Sequence, residues 1–277
     1  MNWTILTRTG LVGLLLCSMA QAPATDPLSR ARRAYNEHQF DAAIAAAREA
    51  RELPNLANPA AVVLGRAYLE RFLAKSDRTD VSDLDAARKA LADVKPALLS
   101  PGDRTEFLVG MGVSVYIDGC ADSCLSAAAE FFDLALAAGG PTDAVSRETI
   151  FEWWAVALDR QAQFGPDEGR VPTYRRILER AEAERARDID STSAAYWIAA
   201  ASRGVGDFNR AWGAAVAGWV RAKYLGPRGE ALRADLHRLV YETLLPERAK
   251  QLVPDADARP QLEVLRKQWA EVTEKYK

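Results

Sequence analysis

The sequence predicts an all-α protein, and three observations lead to this fold class. Nearly half of its 277 residues are hydrophobic, yet no stretch alternates apolar and polar residues in the two-residue period of a strand. Gly and Pro occur mainly where helical patterns stop. Two segments, residues 28–53 and 193–220, each have the pattern of two apolar helices joined by a tight turn. Because such a hairpin cannot bury its own apolar faces, we expect an α-solenoid of about five helical hairpins with a C-terminal helical cap.

The hairpin at residues 193–220 combines large and small apolar residues. Its sequence is SAAYWIAAASRGVGDFNRAWGAAVAGWV, in which Ala199, Ala211 and Gly218 would let neighbouring backbones approach closely. Phe208 is the aromatic residue of the turn. These residues fall at the spacings of the tetratricopeptide repeat, and the hairpin resembles that family. The resemblance implies stacked helical hairpins whose first helices line a concave groove.

A second match without gaps lies at the N-terminal end, in residues 28–53. Ala31 takes the small position of the first helix, Phe40 and Asp41 form the turn, and Ala43 and Ala50 take the small positions of the second helix. Two matches at opposite ends of one chain indicate that related hairpins lie between them.

Three further hairpins are expected in the middle of the chain. Leu64, Gly65 and Tyr68 match the Leu-Gly and Tyr positions of the family, although the connections in these units are longer than the repeat has. The helices are predicted at residues 63–72 and 84–94, 103–116 and 124–140, and 147–163 and 171–188.

The repeat domain is expected to cover residues 28–225 and the capping helices residues 226–277. The first capping helix is predicted to stop at Pro246, and the last helix carries one narrow apolar seam. Terminal repeats close the core against water and are therefore atypical. The alternative is that the seam mediates self-association in a larger assembly. Its residues are Leu262, Leu265, Trp269, Val272 and Tyr276.

The N-terminus has the pattern of a secretory signal peptide. Arg8 precedes a short apolar run at residues 11–17, which is far shorter than the ~20 apolar residues of a membrane anchor. We expect residues 1–20 to be removed, leaving a linker at 21–27 and an exported protein, periplasmic or extracellular, without stable membrane insertion. An uncleaved anchor and a lipoprotein are the alternatives.

Composition and motifs argue against catalysis and against nucleic-acid binding. The formal net charge is −2, which gives no attraction to phosphate backbones. The sequence contains no G-x-S-x-G, H-E-x-x-H or P-loop motif. His38 falls in a turn and His237 beside a leucine stripe, and neither has a partner that would make it a base. We therefore predict no catalytic residue, no metal site and no cofactor.

Two pairs of carboxylates are predicted to be solvated charges rather than a catalytic pair. Asp83 and Asp85, like Glu182 and Glu184, lie two residues apart on a helix and face different directions. We expect Glu182 and Glu184 to pair with the arginines three residues after them, which would support their helix by a few tenths of a kcal/mol per pair.

The two cysteines of the exported chain, Cys120 and Cys124, could form a metal pair, a redox pair or a structural disulfide. Zinc would need two further ligands, and the histidines lie in distant units. Redox pairs favour the C-x-x-C spacing. An exported chain meets an oxidising compartment, so a local disulfide is preferred, and it would stabilise the fold by about 2 kcal/mol.

The resemblance also implies which residues line the concave groove. Arginine and tyrosine dominate the energetics of many interfaces, and both are present in this set. The predicted function is a non-catalytic scaffold that binds a protein or peptide in the cell envelope, although the faces of any solenoid also carry solvated polar residues. The predicted groove residues are Arg32, Tyr35, Asn36, Arg66, Glu70, Tyr116, Glu152, Asp159, Arg160, Tyr196 and Arg203.

A second hypothesis is an envelope glycan-binding module or an enzyme. It would use the carboxylates Glu152 and Asp159 together with Trp153, because aromatic rings and acidic groups are what such sites need. Most tryptophans, however, fall at or next to helix-packing positions, which favours a role in the core.

Overall fold

The computed structural model describes residues 26–118, 121–139, 142, 145–254 and 256–277, without the side chains of residues 121 and 122. The predicted signal peptide, most of the predicted linker and Cys120 lie outside these residues. The described part of the chain contains helices and no strand, which confirms the all-α prediction. The α-helices are α1 (Pro27–Asn36), α2 (Phe40–Arg51), α3 (Ala57–Ala74), α4 (Ser82–Ala92), α5 (Pro101–Asp118), α6 (Ala121–Ala138), α7 (Arg147–Phe164), α8 (Asp167–Arg187), α9 (Thr192–Gly204), α10 (Phe208–Ala222), α11 (Gly226–Arg238), α12 (Leu245–Leu252) and α13 (Arg259–Lys275).

Side-chain caps begin several of these helices. The carboxylate of Asp26 accepts a hydrogen bond from Ser29 N at 3.1 Å, and Pro27 occupies the first turn of α1. The hydroxyl of Ser191 and the carboxylate of Asp207 cap α9 and α10 in the same way. Each cap satisfies an N–H group that the first helical turn would otherwise leave unpaired.

Neighbouring helices pack in chain order through most of the protein, and the odd-numbered helices also contact one another. Helix α1 contacts α3, and contacts of the same kind join α3 to α5, α5 to α7, α7 to α9 and α9 to α11. The odd-numbered helices therefore form one layer, and side chains on it can meet across consecutive hairpins. The buried apolar side chains form one continuous core.

The small residues that match the repeat pattern are completely buried. Ala31, Ala43, Ala199 and Ala211 have no exposed surface, so they lie where neighbouring helices approach closely. Gly218 shows how little space is left, because an added β-carbon there would lie 2.9 Å from Leu236 Cδ1.

The prediction that Pro246 ends a helix is wrong. The chain passes through a π-helical segment, Leu239–Leu244, and continues directly into α12. Pro246 lies in the first turn of α12, where its missing N–H group is tolerated. The wider π turn accommodates the proline, which would otherwise clash with the preceding α-helical turn.

The prediction that the paired carboxylates are all solvated is also wrong. Asp83 is buried, and Arg71 on α3 donates to it from Nε at 3.1 Å and from Nη2 at 2.6 Å. Glu184 is buried too and accepts bonds from Arg147 Nε and Nη2 at 2.8 and 2.7 Å. Both carboxylates thus fasten one helix to another, and the hydrogen bonds from Arg71 hold the pKa of Asp83 below its usual value.

The local charge pairs expected within α8 are replaced by pairs between helices. Glu184 pairs with Arg147 on α7, and Glu182 pairs with Arg210 on α10. Tertiary packing brings arginines of other helices closer to these carboxylates than the arginines at position i+3 of α8. Neither predicted pair forms.

Cys124 begins the second turn of α6 and is engaged in a disulfide bond. The predicted partner, Cys120, lies outside the described residues. The pairing of Cys120 with Cys124 therefore stays a prediction.

Candidate functional site

All eleven predicted groove residues lie on the odd-numbered helices α1, α3, α5, α7 and α9. The layer formed by these helices distributes them among separate recesses rather than one pocket. Three recesses hold most of them, and we call these the N-terminal cavity, the central cleft and the acidic cleft. Within the described residues, none of the helices combines the length and the apolar character that a membrane span needs.

The N-terminal cavity has a volume of about 170 Å³ and is lined by four of the predicted residues, Arg32, Tyr35, Asn36 and Arg66. Asn36 is exposed at the end of α1, whereas Arg66 is only 4% exposed. Arg32 Nη2 pairs with an oxygen of Asp103 at 2.6 Å. The cavity therefore combines one exposed and one deeply buried guanidinium group.

Arg66 is neutralised by the protein itself. Its Nε lies 3.2 Å from Glu106 Oε2, and its Nη2 lies 3.4 Å from Glu70 Oε1. Burial disfavours the charged guanidinium, but Tyr35, Glu106 and Glu70 more than offset this, so the pKa of Arg66 lies above its usual value. Burial in turn raises the pKa of Tyr35 to about 12. Arg66 joins α3 to α5 through Glu106 and lies over the Tyr35 ring of α1, while its buried Nη1 donates to no acceptor in the described chain.

The central cleft has a volume of about 780 Å³ and lies against α4, α5 and α7. Tyr116, Glu152 and Arg160 line it, together with Trp153 and Arg78. The Tyr116 and Trp153 rings meet edge to face with centroids 5.4 Å apart. The cleft thus has aromatic walls with guanidinium groups beside them.

Arg160 is an exposed cation of the central cleft. Its guanidinium carbon lies 5.3 Å from the ring centre of Tyr116 and 5.9 Å from that of Phe164. No carboxylate of the described residues pairs with Arg160 or with Arg78, whose Nη2 donates to the carbonyl of Leu73 at 3.1 Å. The aromatic contacts hold Arg160 in place and leave its charge uncompensated.

The acidic cleft has a volume of about 480 Å³ and lies between α7, α9 and α11. Glu152 and Asp159 of α7, Tyr196 of α9 and Asp235 of α11 line it. Tyr174 Oη and Gln163 Nε2 donate to Asp159 at 2.8 and 2.7 Å, so this carboxylate is held by neutral donors.

Arg203 is separated from the other predicted residues. Its Nη1 lies 2.8 Å from Glu247 Oε1 on α12, and the two residues line a recess with Tyr174. The pair joins α9 to α12, which the sequence pattern gave no reason to expect.

The two histidines have structural surroundings. His38 has a φ of 58° and occupies the turn between α1 and α2. His237 Nδ1 accepts a hydrogen bond from Trp269 Nε1 at 3.1 Å, and its ring stacks on Tyr241 with centroids 5.4 Å apart. In the described part of the chain, no set of three or more His, Cys, Asp or Glu side chains is placed to hold one metal ion.

Sequence reasoning missed three residues of the clefts. Asp235 was assigned to the cap and Arg78 to a connection, and Trp197 was given no role in a site, yet Asp235 and Trp197 line the acidic cleft and Arg78 lines the central cleft. The length of the connection between α3 and α4 was the one sequence feature that could have indicated a surface position for Arg78, because a loop longer than the repeat allows must lie on a surface. Nothing in the sequence placed Asp235 opposite Glu152.

The fold and the clefts define an all-α protein of consecutively packed helices with polar recesses along one helical layer. No protein-family model matches the chain, and neither a curated protein nor a solved structure is significantly similar to it. The functional argument therefore depends on the geometry of the clefts.

Proposed function

We propose that this protein is an exported, non-catalytic scaffold with tetratricopeptide-like hairpins, which binds a segment of a partner protein in the cell envelope. The binding site of this proposal is the central cleft. Arg160 carries the argument, because it is an exposed guanidinium group beside two aromatic rings and has no carboxylate partner among the described residues.

Within the described chain, the unpaired charged groups of the central cleft are two guanidinium groups and one carboxylate, Glu152, and this excess of positive charge favours an acidic segment. Arg88 is already paired with Asp118 and Asp85, whereas Arg78 and Arg160 are unpaired within the described chain. A carboxylate of the partner would form charge-assisted hydrogen bonds with Arg160, and apolar side chains next to it would pack on Tyr116 and Trp153.

The surroundings of Trp153 support glycan binding less well than they support peptide binding. Its ring stacks on Phe132 with centroids 6.2 Å apart and an interplanar angle of 18°, and Tyr116 meets it edge to face. A sugar needs an open aromatic face, and neighbouring rings already contact this indole. Glycan fragments nevertheless belong in the test as a competing ligand class.

The test uses the exported chain from Gln21 and peptides selected against it by display. We expect the selected peptides to combine Asp or Glu with apolar residues and to bind more weakly as salt concentration rises. Arg160→Ala should weaken binding at least about tenfold, since a charge-assisted contact contributes roughly 1.5–3 kcal/mol. Arg175→Ala on α8 is the matched control, because Arg175 is exposed and forms no ion pair within the described residues.

Equal binding by the Arg160→Ala and Arg175→Ala variants would contradict the central cleft as the site. Stabilisation of the protein by cell-wall glycan fragments, without any peptide bound, would favour the glycan hypothesis. Replacement of Arg32, Arg66, Arg160 and Arg203 together is a poor test, because Arg66 is buried and paired and its loss would disturb the fold.

A further inference from the structure

The wall of the N-terminal cavity contains two buried polar atoms without a hydrogen-bond partner. Arg66 and Glu106 both line this cavity, and their side chains are only 5% and 13% exposed. Within the described residues, neither Arg66 Nη1 nor Glu106 Oε1 has a partner, although both atoms are shielded from solvent. Buried polar groups are nearly always paired with protein, water or a ligand. The cavity therefore presents one donor and one acceptor to whatever occupies it.

The donors of Arg66 outnumber the acceptors around them. A guanidinium group has five N–H donors, of which two are on each Nη nitrogen. Arg66 Nε donates to Glu106 Oε2 at 3.2 Å, and Nη2 lies 3.4 Å from Glu70 Oε1. The Tyr35 hydroxyl also interacts with this guanidinium and itself donates to Glu70 at 3.5 Å. Because the two N–H bonds of Nη1 point in different directions, this one oxygen can meet only one of them, and the other has no acceptor in the described chain.

Other polar side chains of the cavity wall satisfy one another. Arg32 Nη2 pairs with Asp103 Oδ1 at 2.6 Å, and Ser100 Oγ donates to Asp103 Oδ2 at 2.7 Å. Thr142 Oγ1 donates to the carbonyl of Val145 at 2.6 Å. The unpaired donor and the unpaired acceptor described above therefore determine which polar group the cavity prefers.

The charges of the cavity wall balance among the described residues. Two guanidinium groups, Arg32 and Arg66, line it together with two carboxylates, Asp103 and Glu106. A ligand with a net charge would bring an uncompensated ion next to buried groups, which is unfavourable. A carboxylate would be repelled by Glu106 Oε1, and an ammonium group would be repelled by Arg66 Nη1. The site therefore favours a neutral group that accepts one hydrogen bond and donates another.

The size of the cavity limits the ligand to a small molecule or a single side chain. Its volume of about 170 Å³ is similar to that of an engineered cavity of about 150 Å³ that binds benzene, and it far exceeds the volume that one water needs. Val62 and Val63 line it beside the polar atoms. A carboxamide on a short hydrocarbon fits these surroundings, since its C=O group accepts, its NH₂ group donates, and its carbon atoms can contact the valines.

We propose that the N-terminal cavity binds a carboxamide group, whose oxygen accepts from Arg66 Nη1 and whose NH₂ group donates to Glu106 Oε1. The carboxamide belongs either to a free small molecule or to a glutamine or asparagine side chain of a partner protein. The site goes beyond the proposed function, since none of the described residues that line it also lines the central cleft.

Ligand-observed NMR titration of the exported chain from Gln21 tests this proposal with defined probes. Propionamide represents a free carboxamide, and acetyl-glutamine methylamide represents a side chain of a partner. Propionate and propylammonium are the charged counterparts of propionamide. We expect propionamide to bind at least about tenfold more tightly than either charged counterpart, because each of these leaves one of the two buried atoms facing a like group.

Glu106→Gln reverses the hydrogen-bonding character of one of the two atoms. The oxygen of the new side chain would accept from Arg66 Nε, which places its NH₂ group where Glu106 Oε1 now lies. Propionamide should then bind at least about tenfold more weakly, because two NH₂ groups oppose each other. Propionate accepts at both positions and should bind more tightly than it does to the unaltered protein. A structural disturbance alone would weaken the binding of both probes.

Glu179→Gln on α8 is the matched control, since Glu179 is exposed and makes no ion pair with a described residue. It should leave the binding of propionamide and of propionate unchanged. Binding of propionamide without acetyl-glutamine methylamide would assign the site to a free small molecule, and binding of both would assign it to a side chain of a partner.

No binding of propionamide up to about 10 mM ligand would overturn the proposal, as would equal or tighter binding of propionate by the unaltered protein. Equal binding of propionamide by Glu106→Gln and the unaltered protein would overturn it as well. If Glu106→Gln does not fold, the backbone amide signals of the unaltered protein decide the question. Propionamide should shift those of Val62, Val63 and Gly102, which line the cavity, and shifts confined to other regions would overturn the proposal.

Each of these results leaves the Arg160→Ala experiment unaffected, because that experiment measures an acidic peptide in the central cleft. The two proposals can therefore fail separately.

Discussion

His38 has a strained backbone conformation, which contacts with neighbouring residues stabilise. His38 is a non-glycine residue with a φ of 58°, in the left-handed region where an L-residue costs about 1 kcal/mol or more. Its N–H donates to the carbonyl of Tyr35 at 3.0 Å, and its ring meets Phe40 edge to face. The turn between α1 and α2 therefore keeps its shape in spite of this residue.

We expect His38→Gly to raise the free energy of unfolding by about 0.5–1 kcal/mol, because glycine adopts a positive φ without steric cost. Urea unfolding measures this change. His38→Ala keeps a β-carbon at the same φ and should give no gain. A gain with alanine equal to that with glycine would show that the ring, and not the backbone, is the source of strain.

The partly buried carboxyl of Glu152 makes stability depend on pH. Burial raises its pKa above the ordinary value, so between the unfolded and the folded pKa the folded state holds more protons than the unfolded state. Stability therefore falls as pH rises through this window, and the penalty is complete above the folded pKa.

We expect Glu152→Gln to be more stable than the unaltered protein at neutral pH, and this difference should disappear below about pH 4, where the carboxyl is protonated in both states. Urea unfolding across a pH series measures it. Glu179→Gln on α8 should match the unaltered protein throughout, because Glu179 is exposed and makes no ion pair with a described residue. A stability difference that is the same at every pH would contradict the electrostatic explanation.

Pairs of helices are held together by buried charges as well as by apolar packing. The guanidinium of Arg147 on α7 contacts both carboxylate oxygens of Glu184 on α8, and its Nη1 donates to the carbonyl of Leu136 at 2.9 Å. Glu184 is buried, whereas Glu182 next to it on the surface pairs with exposed Arg210. The two ion pairs of α8 therefore differ in burial and should differ in strength.

Arg147→Met should destabilise the protein by about 3 kcal/mol, because it leaves the Glu184 charge buried with only Arg180 near it. The distance from Arg180 Nη1 to Glu184 Oε1 is 4.0 Å. Arg210→Met, the surface counterpart, should cost no more than about 1 kcal/mol. Denaturant unfolding measures both.

The double variant Arg147→Met and Glu184→Met should recover most of the loss, since no buried charge remains. If it is as unstable as Arg147→Met alone, lost packing and not an unpaired charge is the cause.

At the scale of the whole molecule, a tryptophan cluster closes the C-terminal end. Trp269 of α13 is almost completely buried, and its ring meets Trp212 and Trp219 with centroids 5.7 and 5.4 Å away. Its Nε1 donates to His237. Because helices contact mainly their neighbours in the chain, the effect of losing this cluster should stay close to the C-terminus.

We expect Trp269→Ala to cost about 3–5 kcal/mol at the C-terminal end and to increase hydrogen exchange in α10 to α13, while α1 to α4 keep their protection. Val264→Ala is the control on α13, since Val264 is half exposed and should change stability by less than about 0.5 kcal/mol. If hydrogen-exchange protection were lost uniformly along the chain, the prediction that the effect stays close to the C-terminus would be wrong.

The sequence by itself determined the helical class and the small buried positions. Ala31, Ala199 and Ala211 were recognisable because they fall at the small positions of the repeat that the hairpins resemble, and all three are completely buried. The resemblance to the tetratricopeptide repeat assigned all predicted groove residues to the first helix of each hairpin, and these residues lie on the odd-numbered helices.

Only the tertiary structure decided which charges meet. Arg66 and Arg160 occupy similar predicted positions, but one is buried between Glu70 and Glu106 and the other is unpaired among the described residues. Glu184 pairs with a residue 37 positions earlier. Helical periodicity fixes the face of the helix on which a side chain lies. The partner of that side chain depends on which other helix packs against this face, and the local spacing of residues does not encode which helix that is.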